Sequence, residues 1–136
     1  MALGTDEHTP LLDDLRSLLA ESGHDALVVA DGAPWPDVGR AVGGAVASGR
    51  AERGVVCCWT GTGVSIAANK VTGVRAALCT DAETARGARR WNDANVLALG
   101  LRLTSGAVAR EVLGAFLDTE VDESEREAIG RLGRGH

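Results

Sequence analysis

Residues 54–65 read GVVCCWTGTGVS, and this stretch decides the fold. Its first part, Gly54–Cys58, is a short apolar run of the kind that forms a buried strand. A glycine turn at Gly61–Gly63 follows, and Val64–Lys70 then has the composition of a helix. A strand that passes through a glycine turn into a helix is the basic unit of α/β proteins.

The same alternation extends in both directions along the chain. Leucines at helical spacing predict a helix over Pro10–Glu21, with Thr9 as its N-cap. Further strands are predicted at Ala2–Thr5, Ala26–Ala30, Val74–Cys79 and Asn95–Leu99, and further helices at Asp37–Ser48, Asp81–Arg90 and Ser105–Leu117. Five apolar strands alternating with helices predict an α/β protein with a parallel, Rossmann-like sheet in a three-layer α/β/α sandwich. We expect one domain over residues 1–136 and a charged, partly helical tail.

Composition narrows the range of functions. The net charge of −5 argues against a nucleic-acid or anionic-membrane partner, because binding to such a partner requires a basic face on the protein. No apolar run approaches the roughly 18–20 residues of a membrane span, and acidic residues near the start make a secretory signal unexpected. The cysteines are Cys57, Cys58 and Cys79, an odd number with two adjacent, which favours reduced thiols in a cytoplasmic protein without a structural metal.

The carboxyl ends of parallel strands are where ligands bind in such folds. Cys58 ends a predicted strand there and precedes a glycine turn and a helix start. Helix-start N–H groups can lower a thiol pKa and stabilise an oxyanion, so Cys58 is a candidate base or nucleophile. The same pattern also fits a buried cysteine before a structural turn. Cys57 should point to the opposite face, into the core, and Cys79 is also expected to pack.

Three longer motifs carry a family resemblance. The segments SIAANKV (Ser65–Val71), GVRAALC (Gly73–Cys79) and NDANVLALG (Asn92–Gly100) closely resemble ribose-5-phosphate isomerase B and the related galactose-6-phosphate isomerase subunits. The resemblance implies a five-stranded parallel sheet and a homodimer whose active sites are shared between subunits. It also implies interconversion of aldose and ketose phosphates through an enediolate, without metal or cofactor.

The resemblance assigns roles to individual positions. Cys58 matches the cysteine that moves a proton between C1 and C2, and Thr60 matches a threonine that assists ring opening or proton shuttling. Asp6 matches an aspartate near the ring oxygen of the sugar, and Asn92 an asparagine near the substrate. The backbone pocket for the enediolate matches Gly61, Thr62, Gly63, Val64 and Ser65.

Residues at three positions depart from the family pattern, and a histidine lies next to one of them. Glu7 stands where a phosphate-binding histidine is usual, and His8 comes one residue later. Trp91 stands where the family has the histidine assigned to ring opening, and its indole cannot act as an acid or base at neutral pH. Trp59 replaces a glycine of the loop, which would narrow the pocket or place a ring against the dimer partner.

The phosphate-binding arginines of the family are not recognisable in the acidic C-terminal region. Arg126 is a candidate match for one of them, with Arg131 and Arg134 further along. A relocated clamp could come from Arg40, Arg86, Arg89 or Arg90, although arginines on helices are usually solvated or paired.

The leading hypothesis is therefore an aldose–ketose isomerase of a small sugar phosphate of the ribose 5-phosphate type. One alternative is an isomerase of a non-phosphorylated or atypical sugar. Another is a non-catalytic sugar-binding or interaction protein on the same scaffold, which the loss of both family histidines motivates. A nucleotide-binding module ranks last, because the glycine loop lacks the third glycine and the Lys-Ser/Thr of the known phosphate loops.

Overall fold

The computed structural model describes residues 1–133 as an α/β sandwich. Its strands are β1 (Ala2–Thr5), β2 (Leu27–Asp31), β3 (Gly54–Cys58), β4 (Ala76–Leu78) and β5 (Val96–Gly100). Its helices are α1 (Pro10–Glu21), α2 (Trp35–Ala47), α3 (Thr62–Asn69), α4 (Ala82–Asn92), α5 (Gly106–Asp118) and α6 (Arg126–Gly130), with a 3-10 turn at Glu123–Glu125. All strand pairs are parallel, in the order β2-β1-β3-β5-β4. The predicted fold class and strand number are confirmed.

Each face of the sheet has its own apolar core. Leu3, Val55 and Leu97 pack towards helices α1, α4 and α5, around the fully buried ring of Phe116. Their neighbours along the strands face α2 and α3, where Val38 and Val64 are buried. This alternation follows from the two-residue period of side chains along a strand. Central strands buried on both faces explain why the apolar runs are continuous.

Element boundaries shift where local backbone geometry decides them. Helix α3 begins at Thr62, before the predicted Val64, because Gly61 adopts a left-handed φ of 79° and serves as the N-cap. Helix α4 continues to Asn92, past the predicted Arg90, and ends on Asp93 with a φ of 48°. Strand β4 is shorter than predicted because it lies at one side of the sheet and pairs only with β5. The C-terminal region is partly helical, as expected, and Arg134 lies outside the described residues.

None of the helices within residues 1–133 combines the length and apolarity that a membrane span requires.

Candidate active site

The parallel register brings several polar chain ends together at the carboxyl end of the sheet. Thr5 at the end of β1 pairs with Asp31 of β2 on one side and with Cys57 of β3 on the other. Cys58 in turn pairs with Gly100 at the end of β5. The segments that follow β1, β2, β3 and β5 therefore emerge side by side, where parallel α/β sheets bind ligands.

Adjacent cysteines at the end of β3 point into different environments. Cys57 lies in the core on the α1–α4–α5 face, as the alternation predicts, and burial raises the pKa of its thiol to about 12. Cys58 faces the other layer, beside Val38 and Val64, and is 5% exposed. Cys79 is also buried, and burial next to Asp81 raises the pKa of its thiol to about 11. Of the three thiols, Cys58 is the one on the face of the glycine loop.

The glycine loop turns the chain directly from Cys58 into helix α3. Gly61 requires its positive φ, and a Cβ there would lie 2.5 Å from Leu78 and 2.9 Å from the backbone of Leu99. The amide of Ser65 donates to the carbonyl of Gly61 at 3.2 Å, which is the first turn of the helix. The amides of Gly63 and Val64 come before Ser65 in the first turn, where no carbonyl of α3 is available to accept their hydrogen bonds. A helix start with such amides favours a bound anion.

Contacts with the end of β5 fix the backbone of this loop. The amide of Leu101 donates to the carbonyl of Cys58 at 2.8 Å, and that of Arg102 donates to Trp59 at 2.9 Å. Thr60 lies so close to Gly100 that a Cβ on Gly100 would be 2.8 Å from the Thr60 carbonyl. The Thr60 hydroxyl accepts weakly from the amide of Thr62, at 3.4 Å. The Trp59 side chain is exposed above this anchored backbone.

Asp6 follows β1 and carries a buried oxygen without a hydrogen bond. Its amide donates to the carbonyl of Cys57 at 3.2 Å, which ties the chain after β1 to β3. Its Oδ1 is the one buried side-chain oxygen or nitrogen within residues 1–133 that has no hydrogen-bond partner. An unsatisfied buried carboxylate oxygen is costly, and a ligand hydroxyl would satisfy it.

Glu7 and His8 diverge after Asp6. The Thr5 hydroxyl donates to the carbonyl of Glu7 at 2.7 Å and turns the chain, while the Glu7 side chain is exposed. Nδ1 of His8 lies 3.0 Å from both carboxylate oxygens of Asp31. Nothing in the sequence pairs Asp31 with His8, which lies 23 positions earlier.

Trp35 is a second residue that sequence reasoning did not assign to the site. Its indole lies against Gly63, where a Cβ would be 2.9 Å from two ring carbons. The ring is nonetheless 45% exposed, so part of it is open beside the first turn of α3. Nothing in the sequence ties Trp35 to a glycine 28 positions later.

Trp91 and Asn92 lie at the other end of the sheet within one chain. Helix α4 begins after β4 at the carboxyl end and runs back, so its last residues precede the start of β5. The Trp91 ring packs on Gly87 of its own helix and is 52% exposed. Asn92 lines a shallow cavity with Arg75. The predicted site residues therefore form two groups, and one chain does not bring them together.

Most of the candidate phosphate-clamp arginines have acidic partners. Arg40 pairs with Asp37 and Arg86 with Glu83, both within one helix turn on the surface. Arg89 is buried and engaged by backbone carbonyls and Asp93.

Arg126 contacts Asp93 and Glu123. Arg131 pairs with Glu127. Arg90 is exposed and lies near Asp122, whose carboxyl pKa is lowered by its hydrogen bonds to Ser124 and, to a lesser degree, by this arginine. Arg90 is thus the clamp candidate with no ion pair within residues 1–133.

Within the same range, no three His, Cys, Asp or Glu side chains converge on a position that could hold a metal ion.

Known proteins resemble this chain over most of its length. The model of the Ribose/Galactose Isomerase family matches residues 1–131. D-erythrulose-4-phosphate isomerase of Pectobacterium atrosepticum is 44% identical over 88 residues, which are 65% of this chain and 58% of that protein. Ribose-5-phosphate isomerase B of Escherichia coli is 39% identical over 88 residues, 65% of this chain and 59% of its own length. The matched region thus spans less than two thirds of these two relatives.

A solved structure matches more completely. Ribose-5-phosphate isomerase B of Clostridium thermocellum superposes with a TM-score of 0.89 at 36% sequence identity, covering 98% of this chain and 95% of that one. The likeness therefore includes both the sheet and the two helix layers described above.

Proposed function

Because the chain belongs to the Ribose/Galactose Isomerase family, we propose that it interconverts an aldose phosphate and a ketose phosphate of short chain length, with Cys58 as the base. The observation that carries the proposal is the junction of Cys58 with the anchored glycine loop. The thiol faces the layer of α3, and the first-turn amides of that helix lie on the same side.

The reaction moves one proton between neighbouring carbons. Cys58 as thiolate removes the proton from C2 of the open-chain aldose, and the electron pair shifts to the C1 oxygen to give an enediolate. A proton passes from the C2 hydroxyl to the C1 oxygen, and Cys58 returns its proton to C1, which leaves a ketone at C2. A base for such a step must reach the carbon acid and have a pKa near ambient pH.

The other residues at this end stabilise the intermediate and hold the substrate. The amides of Gly63 and Val64 would donate to the enediolate oxygen, within the pocket formed by Gly61–Ser65. Thr60 lies two positions after Cys58 in the sequence and would relay the hydroxyl proton. The buried oxygen of Asp6 would accept from a sugar hydroxyl, which would remove its unsatisfied state.

A homodimer would join the two groups of predicted site residues. Asn92 and Trp91 lie at the amino end of their own sheet, so they reach a thiol only if it belongs to a second copy. Ile66, Leu78 and Trp91 are exposed apolar side chains on α3, β4 and α4. Strand β4 has an unpaired side, and unpaired strands and apolar patches are usually covered by a partner. We expect Trp91 to contact the sugar or the partner's loop by stacking rather than by proton transfer.

The relatives support a short phosphorylated sugar as the substrate. Their names specify D-erythrulose 4-phosphate and ribose 5-phosphate, which are phosphorylated sugars of four and five carbons. Arg90, exposed and near the end of α4, is the residue we propose for the phosphate. The reduced thiols agree with a cytoplasmic enzyme, and the proposed chemistry uses neither a metal nor a cofactor.

Exchange of the substrate C2 proton with solvent tests the proposal. Purified protein is incubated in deuterated buffer with erythrose 4-phosphate, ribose 5-phosphate and the corresponding free sugars, and ketose formation and deuterium at C1 and C2 are followed by NMR. Turnover with deuterium incorporation that Cys58→Ser abolishes supports the proposal. Sugar binding in calorimetry without proton exchange would instead favour a non-catalytic binding protein. Turnover of the free sugars alone would show that the substrate is not phosphorylated.

A further inference from the structure

The pair formed by His8 and Asp31 stands at the carboxyl end of the sheet and has no role in the steps above. We propose that His8 is a further catalytic residue, which protonates the ring oxygen of a cyclic substrate, and that Asp31 is its positioning residue. The inference rests on the proposed isomerase function and adds the step that must precede it, because a furanose has no carbonyl group from which to enolise.

The geometry of the pair is that of an oriented imidazole. A carboxylate can only accept hydrogen bonds, so Nδ1 of His8 donates to Asp31, whose two oxygens both lie 3.0 Å away. The hydrogen bond at Nδ1 leaves Nε2 as the nitrogen that exchanges a proton with a ligand. A carboxylate in this position holds the ring orientation.

The pair lies at the same end of the sheet as Cys58. Asp31 pairs with Thr5, and Thr5 pairs with Cys57, so the ends of β2 and β3 lie on either side of the end of β1. At about 4.8 Å per strand this separation is about 10 Å between backbones. The Thr5 hydroxyl bond to the Glu7 carbonyl turns the chain so that His8 meets Asp31.

The surrounding charges favour the hydroxyl end of the substrate over its phosphate. Asp6 and Glu7 follow β1 and Asp31 ends β2 at this end of the sheet, and a phosphate dianion would be repelled by them. The carboxylate of Asp31 also compensates the charge of a protonated His8. Stability does not explain the pair, because the imidazole is 59% exposed and the carboxylate 38% exposed, and such surface pairs contribute little.

Ring opening by this pair conserves atoms and electrons. Protonated His8 gives its Nε2 proton to the ring oxygen as the bond between C1 and that oxygen breaks. The anomeric hydroxyl loses its proton to water, and its electron pair forms the C1 carbonyl. The products are the open-chain aldehyde and a free hydroxyl at C4, and neutral His8 regains a proton from water.

The other histidines do not offer this chemistry at this place. His24 lies at the amino end of the sheet, beside Met1, Glu52 and Arg53. His136 lies outside the described residues. His24→Gln is therefore a matched control for His8→Gln.

A substrate that cannot form a furanose separates ring opening from enolisation. The C4 oxygen of erythrose 4-phosphate is esterified and cannot close a ring on C1, whereas ribose 5-phosphate is cyclic in solution. We expect His8→Gln to lower kcat/KM for ribose 5-phosphate on the order of 10²-fold and to change the value for erythrose 4-phosphate by less than about threefold, well below such a factor. Asp31→Asn should give a smaller loss with the same substrate selectivity, and His24→Gln should change neither value.

Equal losses on both substrates, or none on either, would overturn the role of His8 while the isomerase itself stands. Wild-type turnover of the tetrose phosphate alone would overturn it too, because no cyclic substrate would then need opening. If wild-type protein turned over neither sugar phosphate, the proposed function would fail together with this inference. Circular dichroism spectra and unfolding midpoints of the variants check that each loss occurs in folded protein.

Discussion

The two ends of the sheet use charged residues in opposite ways. At the amino end, Asp93 receives three guanidinium groups, from Arg75, Arg89 and Arg126. At the carboxyl end, a buried oxygen of Asp6 has no partner and the ion pair of His8 with Asp31 is open to solvent. Saturated networks rigidify a fold, whereas unsatisfied or exposed polar groups at a strand end indicate a place for a ligand.

The amino-end network, which we call the Asp93 cluster (Arg75, Arg89, Asp93 and Arg126), also explains a backbone exception. Asp93 is the one non-glycine within residues 1–133 with a positive φ, at 48°. Arg89 donates to its carboxylate at 2.9 Å and to the carbonyl of Ala94 at 2.7 Å, and Arg75 donates to the Asp93 carbonyl at 2.8 Å. These bonds hold the turn that ends α4 and thereby set the direction of Asn92.

The largest expected effect that tests this contrast between the two ends of the sheet is a loss of turnover. We expect Cys58→Ala to lower kcat for the sugar phosphate by about 10³-fold, because the proposed carbon-acid base is lost. The adjacent Cys57→Ala is the control, since its thiol faces the core; it should retain activity while losing about 1 kcal/mol of unfolding free energy. Coupled ketose assays and urea unfolding of both variants provide the measurements. If the Cys58→Ala protein were as active as wild type, the proposal that the active site lies at the carboxyl end of the sheet would be wrong.

The Asp93 cluster should contribute to the stability of the fold rather than to turnover. We expect Arg89→Ala to lower the unfolding free energy by about 3 kcal/mol, because it removes one partner of a mostly buried pair. Arg86→Ala, one turn earlier on the same helix, removes an exposed pair with Glu83 and should cost less than about 0.5 kcal/mol. Urea denaturation measures both. Equal losses would mean that the saturated network contributes no more than a surface pair.

The strands could be read from the sequence where both faces are buried. All five residues of β3 are buried, and the predicted Gly54–Cys58 matches the observed strand. Strand β4 is different, because it lies at the side of the sheet and only Ala76–Leu78 keep the ladder with β5. The end of α4 could not be predicted, because an aspartate in the left-handed region depends on arginines that tertiary structure supplies.

The proposed site could be located from the sequence where it is local in sequence. Cys58 and Gly61–Ser65 follow one another, so alternation and a glycine turn drew attention to their junction, and the family resemblance then implied their roles. The contact between His8 and Asp31 joins residues 23 positions apart, and only the pairing of β1 with β2 creates it. The separation of Asn92 from Cys58 likewise depends on the direction of α4, which the family motifs do not reveal.

Two glycine-to-alanine substitutions, one in the loop at the carboxyl end and one in a helix as its control, test the loop through a smaller change in stability. Gly61→Ala should lower the unfolding free energy by about 2 kcal/mol, because φ is 79° and the new methyl group would meet Leu78 and Leu99. Turnover should fall as well, since the first-turn amides of α3 would move. Gly114→Ala, in the middle of α5 with open space around it, should raise stability by up to about 1 kcal/mol. Thermal unfolding and kcat are measured for each variant. If Gly61→Ala left both unchanged, the loop would not be held in the fixed conformation described above.

The smallest effect concerns the thiol that faces away from the site. Folding raises the pKa of Cys57 from 9.0 to about 12, so above pH 9 the unfolded chain binds fewer protons than the folded protein. The protonated thiol stabilises the fold fully below pH 9, and this contribution declines as pH rises towards 12, by about 1.4 kcal/mol at pH 10. Urea unfolding at pH 7, 8, 9 and 10 should therefore show a steeper alkaline decline for wild type than for Cys57→Ala, so that the stability advantage of wild type shrinks and is lost by about pH 10. Parallel declines would place Cys57 in a solvated environment, and the division of the two cysteines between core and site would no longer hold.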